Sequence, residues 1–232
     1  MTVPLLEVSR LAAQIQAMPV LRGLSLSVGA GEMVALVGRN GAGKTSFMRA
    51  VMGHLPVTAG TMQFDGRDLA HMQRHERAGC GIGYMPEDRG LVPQLSVEEN
   101  VLLPLWAVSR LDRGRRLALA WELLPEVEQM RDRRALLLSG GQQKLVAMAR
   151  SIVVGTRLLL LDEPFEGVAP ALAQRLVEVI HALQGSELAV LISQSDSHHG
   201  ASLFVRQYRI ERGANSDQQP GLTTEPDALT GR

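Results

Sequence analysis

Short apolar runs at residues 24–28, 33–37, 158–161 and 188–193 alternate with longer amphipathic stretches. That alternation predicts an α/β layered core, because a strand buries its side chains within a few residues whereas a helix needs several turns. The last two runs have the pattern of parallel strands covered on both faces. Within residues 61–69 the sequence TMQFDGRDL puts Asp65 and Gly66 at a hairpin turn, which assigns a smaller β region beside the core. Further along, Val97, Val101, Leu102 and Leu105 recur at helical spacing, followed by Leu117, Leu119, Leu123 and Leu124. An inserted helical subdomain over about residues 90–150 is therefore expected. Pro104 should kink or divide its first helix, since proline lacks the amide hydrogen and crowds the preceding turn. Beyond Gly213 the chain is polar and rich in turn formers, so residues 214–232 are expected to form a mobile tail after one domain of residues 1–213. No segment repeats at a fixed period.

Composition removes several function classes. Lysine plus arginine and aspartate plus glutamate number 24 each, so no net field attracts nucleic acid or anionic lipid, and no nucleic-acid partner is expected. A single cysteine, Cys80, permits neither an intrachain disulfide nor a cysteine-based zinc site, which makes a reducing cytosol the simplest compartment. The first residues lack the basic start and apolar run of a secretory leader. The longest apolar runs fall short of the roughly 20 residues a membrane-spanning helix needs. Any membrane attachment is expected to go through a partner.

Candidate chemistry begins at GRNGAGKT, the run Gly38, Arg39, Asn40, Gly41, Ala42, Gly43, Lys44 and Thr45, with Ser46 opening the helical stretch behind it. It follows the apolar run MVALV, so strand, glycine-rich loop and helix come in order. The glycines let the backbone curl until successive amide hydrogens face phosphate oxygens, and the helix amino terminus adds a favourable dipole. Lys44 is placed to reach the β and γ phosphates, and the Thr45 hydroxyl to ligate Mg2+. Met48 and Met52, one turn apart behind the loop, read as core filler.

A second element is RLLLLDEP, where four leucines end in two carboxylates. Asp162 is assigned to the metal, and Glu163 to accepting a proton from the water that attacks the γ phosphate. On its own such a run also describes a strand meeting a solvated turn. Beside a phosphate loop the chemical reading gains weight.

Between these lies LSGGQQ. The tetrad Ser139, Gly140, Gly141 and Gln142 resembles the signature motif of ATP-binding cassette (ABC) proteins, in the family's order relative to the other two motifs. The resemblance runs from about Leu5 to about Gly213. It implies a P-loop NTPase cassette with a RecA-like core, a small antiparallel β region and the inserted helical subdomain. It further implies two subunits packed head to tail, homotypic or heterotypic, each signature closing over ATP held by the partner's loop.

Within that family the chain is similar to the ATPases that energise import of branched-chain amino acids and related amides. Glu87, in YMPEDRG, occupies the position where most cassettes carry a glutamine near Mg2+. Gln194, in LISQSD, stands where most carry a histidine on the γ phosphate, and the resemblance makes it a γ-phosphate sensor. Both features fit the branched-chain group. Phe165, in FEGVAP, departs from the serine usual in that group, and Ala169 from the aspartate usual elsewhere. The position that stacks on adenine aligns with Ile15, so modest affinity and weak base discrimination are expected. His198 and His199 read as exposed loop residues.

The resemblance implies transmembrane permease subunits as partners, a solute-binding protein acting through them, and a peripheral place on the cytoplasmic membrane face. The apolar segment at residues 91–108 is a candidate lining for the groove that receives the permease, although Trp106 within it reads as core. Two alternatives remain: a soluble cassette ATPase acting on nucleic acid or ribosomes, and a regulatory subunit that binds ATP with little turnover.

Overall fold

The computed structural model describes residues 3–108, 110–195 and 200–215, and in it the four apolar runs become strands. The strands are β1 (Leu6–Ile15), β2 (Met18–Val28), β3 (Met33–Val37), β4 (Val57–Phe64), β5 (Arg67–Asp68), β6 (Ile82–Met85), β7 (Leu158–Asp162), β8 (Ala189–Gln194), β9 (Arg206–Glu211) and β10 (Ala214–Asn215). The helices are α1 (Lys44–Val51), α2 (Arg74–Gly79), α3 (Val97–Ala107), α4 (Arg113–Leu123), α5 (Pro125–Glu128), α6 (Gly140–Val154) and α7 (Pro170–Ala182).

Two sheets result. One is antiparallel with strand order β2-β1-β4-β5, and the other has order β10-β9-β3-β8-β7-β6. Strands β9, β3, β8, β7 and β6 of the second run parallel, with β10 antiparallel at its edge. The apolar runs are continuous because this sheet is covered on both sides. On β7, Leu158 and Leu160 enter the layer holding Phe47 and the antiparallel sheet, whereas Leu159 and Leu161 enter the layer holding Val146, Ile152 and Leu176. Each leucine so enclosed contributes about 1.5–3 kcal/mol. The order β3-β8-β7 also brings the carboxyl ends of three strands side by side, where the loops of an open α/β sheet gather a ligand site.

Local signals are realised in detail. Asp65 and Gly66 turn β4 into β5 with φ of 52° and 72°, the paired positive values of a two-residue hairpin loop. Helix α3 opens on a capping box, with Ser96 Oγ accepting from the Glu99 amide at 3.1 Å and the Glu99 carboxylate accepting from the Ser96 amide at 2.7 Å.

Three expectations change. Pro104 does not divide α3, whose buried stripe of Val97, Val101 and Leu105 holds the turns on either side against the core. Trp106 is 51% exposed, because it falls off that stripe, which corrects its assignment to the core. Ala214 and Asn215, expected in the tail, pair with β9, and the Asn215 side chain bonds both backbone groups of Ser25, at 2.7 and 2.8 Å. The remainder of the expected tail, His198 and His199 lie outside the described residues.

Candidate active site

The loop between β3 and α1 curls as its glycines permit. Gly43 has φ of 111°, and a Cβ there would lie 2.9 Å from the Val20 carbonyl oxygen; one on Gly38 would lie 2.3 Å from that of Ile210. Helix α1 begins at Lys44 with neither a side-chain cap nor an acidic residue in its first turn, so its amino-terminal amides are open to an anion.

Lys44 turns back into the loop and is only 4% exposed. Its ammonium lies 2.9 Å from Glu163 Oε1 and donates to the carbonyls of Gly38 and Arg39. This pair is the electrostatic centre of the site. Glu163 has φ of 48°, the left-handed region, and its amide donates to Ser193 Oγ at 3.0 Å. Its Oε1 also lies 3.0 Å from Ser195 Oγ, which in turn is 2.6 Å from Asn40 Oδ1.

Asp162 ends β7 fully buried. It accepts from Ser193 Oγ at 2.6 Å, from Thr45 Oγ1 at 3.2 Å and from the Tyr84 hydroxyl at 3.4 Å. Burial pushes its pKa up, against the pull of the Ser193 and Thr45 hydrogen bonds. Burial, with Asp162 beside it, likewise pushes the Tyr84 hydroxyl up. Glu87 Oε2 is 3.4 Å from Thr45 Oγ1. At the end of β8, Gln194 is 4% exposed, and neither end of its amide has a hydrogen-bond partner among the described residues.

These groups surround a cavity of about 530 Å3. Asn40, Gly41, Gly43, Lys44, Thr45, Ser46, Glu87 and Glu163 line it, with Gly38, Arg39, Ala42, Asp162 and Gln194 immediately behind. Ile15 does not line it. Gln16 and Ala17, at φ of 47° and 66°, turn the β1–β2 hairpin so that Ile15 pairs with Met18, and Met18 reaches the cavity instead. Met18 is therefore a second candidate for contact with adenine beside Ile15, which is 44% exposed on the adjoining strand end. Reasoning from sequence also missed Val20, Arg22, Glu166 and Arg212 on the wall. Arg212 arrives because Gly213 is bonded both to Ala42 and to Arg22, a juxtaposition with no local signal in the sequence.

The signature residues are elsewhere. Ser139 caps α6, its Oγ accepting from the Gln142 amide at 3.3 Å and its amide donating to Gln142 Oε1 at 3.0 Å. None of Ser139, Gly140, Gly141 and Gln142 lines the cavity, so one chain presents a phosphate cradle and, apart from it, a helix amino terminus closed by its own capping box.

The oxygens of Thr45, Asp162 and Glu87 form a hard donor set suited to Mg2+. Among the described residues no group of three or more His, Cys, Asp or Glu side chains is gathered to hold a metal alone.

A glycine loop between strand and helix, with a carboxylate pair closing the strand next but one, defines a P-loop nucleoside triphosphatase. Comparison with known proteins narrows the class. Residues 21–166, more than half of the chain, match the ABC transporter family. The lipopolysaccharide export system ATP-binding protein LptB of Escherichia coli is 35% identical over 210 residues, spanning 90% of this chain and 87% of that one. The high-affinity branched-chain amino acid transport ATP-binding protein BraG of Pseudomonas aeruginosa is 30% identical over 222 residues, spanning 95% and 94%. The fold matches the dimeric, ADP- and phosphate-bound ATP-binding cassette MJ0796 with a TM-score of 0.81 at 20% identity, over 93% of this chain and 98% of that one. The chain belongs to the ABC transporter family, as an ATP-hydrolysing ATP-binding subunit. Subunits of this kind work as dimers with membrane permeases, and among the described residues no helix is long and apolar enough to cross a membrane.

Proposed function

We propose that the subunit hydrolyses ATP in the cavity around Lys44 and drives import of a branched-chain amino acid or a related amide through separate permease subunits. The observation carrying the ATPase chemistry is the buried Lys44–Glu163 contact at 2.9 Å. In the resting state Lys44 neutralises the general base. A triphosphate entering the loop draws Lys44 onto its β and γ oxygens, freeing the Glu163 carboxylate to accept a proton from the attacking water. Thr45, Asp162 and Glu87 would hold Mg2+, which would supply charge neutralisation at the phosphates. Gln194, its amide unpaired, donates to a γ-phosphate oxygen; it cannot take up a proton near neutral pH, so it senses the phosphate without serving as a base. Ser139 to Gln142 close over the ATP of a second subunit.

A second cavity, of about 600 Å3, lies between α1, β6, α3 and α6, with Met52, Tyr84, Leu103, Pro104 and Arg150 on its wall. This groove, with half-exposed Trp106 on the same helix, is the proposed seat of the permease. The subunit accordingly works peripherally at the cytoplasmic membrane face, and a solute-binding protein acts on it indirectly.

Glu87, Gln194 and the similarity to BraG support import. The 35% identity to LptB, of a lipopolysaccharide export system, favours lipopolysaccharide export as the second reading. Two measurements test these proposals. Lys44→Ala should abolish ATP binding, whereas Glu163→Gln should retain it, trap an ATP-bound dimer and suppress turnover; unchanged turnover in Glu163→Gln removes the base. Co-purification with a candidate permease, followed by solute stimulation of ATPase in proteoliposomes, separates the readings: stimulation by leucine or amides supports import, and stimulation only by lipopolysaccharide supports export.

A further inference from the structure

Lys144 lies in α6 two residues beyond the signature and is 4% exposed. Its ammonium donates to the Glu163 carbonyl at 3.0 Å and to the Glu166 carbonyl at 2.6 Å. Burial lowers its pKa, so at neutral pH the charged form is held at a cost that a packed methionine would avoid. What the charge provides is a fixed position for two carbonyls in the turn that carries the proposed base.

That turn needs fixing. A non-glycine residue in the left-handed region costs about 1–2 kcal/mol, and Glu163 sits there with φ of 48°. Its amide is held by Ser193, its carboxylate by Lys44 and its carbonyl by Lys144. The Lys44 restraint is the one a triphosphate removes, which leaves the two backbone restraints, with the Ser195 hydroxyl 3.0 Å from Oε1, to aim the carboxylate during turnover. Only Lys144 comes from the helix that Ser139 caps. From Leu145 to Ile152 all but Arg150 of that helix is buried, so a push on its amino terminus moves the helix as a body.

We propose that Lys144 is a positioning residue that ties the signature helix to the backbone of Glu163, so that engagement of Ser139–Gln142 by a second subunit sets the aim of the base. This inference rests on the reading of Glu163 as general base.

The test compares steady-state ATPase and nucleotide binding for Lys144→Met and Lys144→Arg, each alone and combined with Glu163→Gln. Lys144→Met should lower kcat at least tenfold while KM and the Kd for a fluorescent ATP analogue stay within threefold of the parent. Lys144→Arg, which keeps charged donors, should recover kcat to within threefold. In the Glu163→Gln background, Lys144→Met should change the residual rate less than twofold, because residues acting as a unit are not additive. A Lys144→Met kcat within threefold of the parent, or the same fold loss with and without Glu163, overturns the proposal. If Lys144→Met fails to melt cooperatively, Lys144→Gln, which keeps a donor on a shorter arm, replaces it under the same criteria. Normal turnover in Lys144→Met alongside an inactive Glu163→Gln overturns this inference alone; an active Glu163→Gln overturns the base assignment with it.

Discussion

Lys44→Met should destabilise the nucleotide-free protein, and the buried pair sets the size of the effect. At 2.9 Å, with an effective dielectric constant of about 20, Coulomb's law gives about 6 kcal/mol of gross attraction between Lys44 and Glu163. Removing the ammonium strands a carboxylate that is only 6% exposed, which for buried pairs costs about 3–5 kcal/mol. Ser195 Oγ, at 3.0 Å, stays available to Glu163 and sets the expectation at the lower end, about 3 kcal/mol. For a chain of this length that corresponds to a fall of about 6–12 °C in Tm. Glu163→Gln is milder, about 1–2 kcal/mol, because the Gly38 and Arg39 carbonyls still accept from Lys44 and the new amide oxygen remains an acceptor. The double variant Lys44→Met/Glu163→Gln carries no stranded charge and should be more stable than Lys44→Met alone. Urea unfolding without nucleotide measures all four proteins. Repeating it at an ATP concentration a hundredfold above Kd should stabilise the parent by about 2.7 kcal/mol and Lys44→Met not at all. A Lys44→Met protein within 1 kcal/mol of the parent, or a double variant less stable than Lys44→Met, refutes the account of the pair.

Three further outcomes follow from neighbouring groups. Burial raises the pKa of Asp162, so its contribution to stability is fully present below the unfolded value and is lost as pH rises through the folded one; Asp162→Asn should therefore unfold at higher urea than the parent at neutral pH, converge with it as pH falls towards the ordinary carboxylate range, and lose Mg2+-dependent turnover. Gln194→Leu removes an unpaired buried amide and should raise stability by about 1–3 kcal/mol while lowering kcat, measured by urea unfolding beside steady-state ATPase. Met18→Trp supplies the aromatic surface the cavity lacks and should tighten ATP binding about twofold to tenfold by titration calorimetry, from about 0.5–1.5 kcal/mol of stacking; equal binding would place the base away from Met18.

Legibility in the sequence followed the range of the interaction. Strands β3, β7 and β8 were readable because their burial is written in consecutive leucines, valines and isoleucines, and the Asp65-Gly66 turn because positive φ at adjacent positions selects those residue types. Trp106 was misplaced for a related reason: α3 is apolar almost all round, so periodicity does not say which side faces out until α6 is packed against it. Pro104 does not divide the helix because tertiary contacts, which propensity ignores, hold both of its halves.

At the site the same division separates the cradle from its surroundings. GRNGAGKT and LLLLDEP are contiguous, so their side chains converge wherever β3 and β7 flank β8. Met18, Arg22 and Arg212 line the same cavity only through a hairpin tip and the Gly213 bonds to Ala42 and Arg22, contacts that span much of the chain and leave no spacing to read. Lys144 belongs with them: its two acceptors are carbonyls 19 and 22 residues away, and a carbonyl has no residue type. A motif names the atoms that meet the nucleotide, whereas the backbone that aims those atoms is held by groups any residue supplies. A sequence of this family therefore discloses what chemistry is present sooner than how one subunit's catalytic turn is tied to its neighbour's ATP.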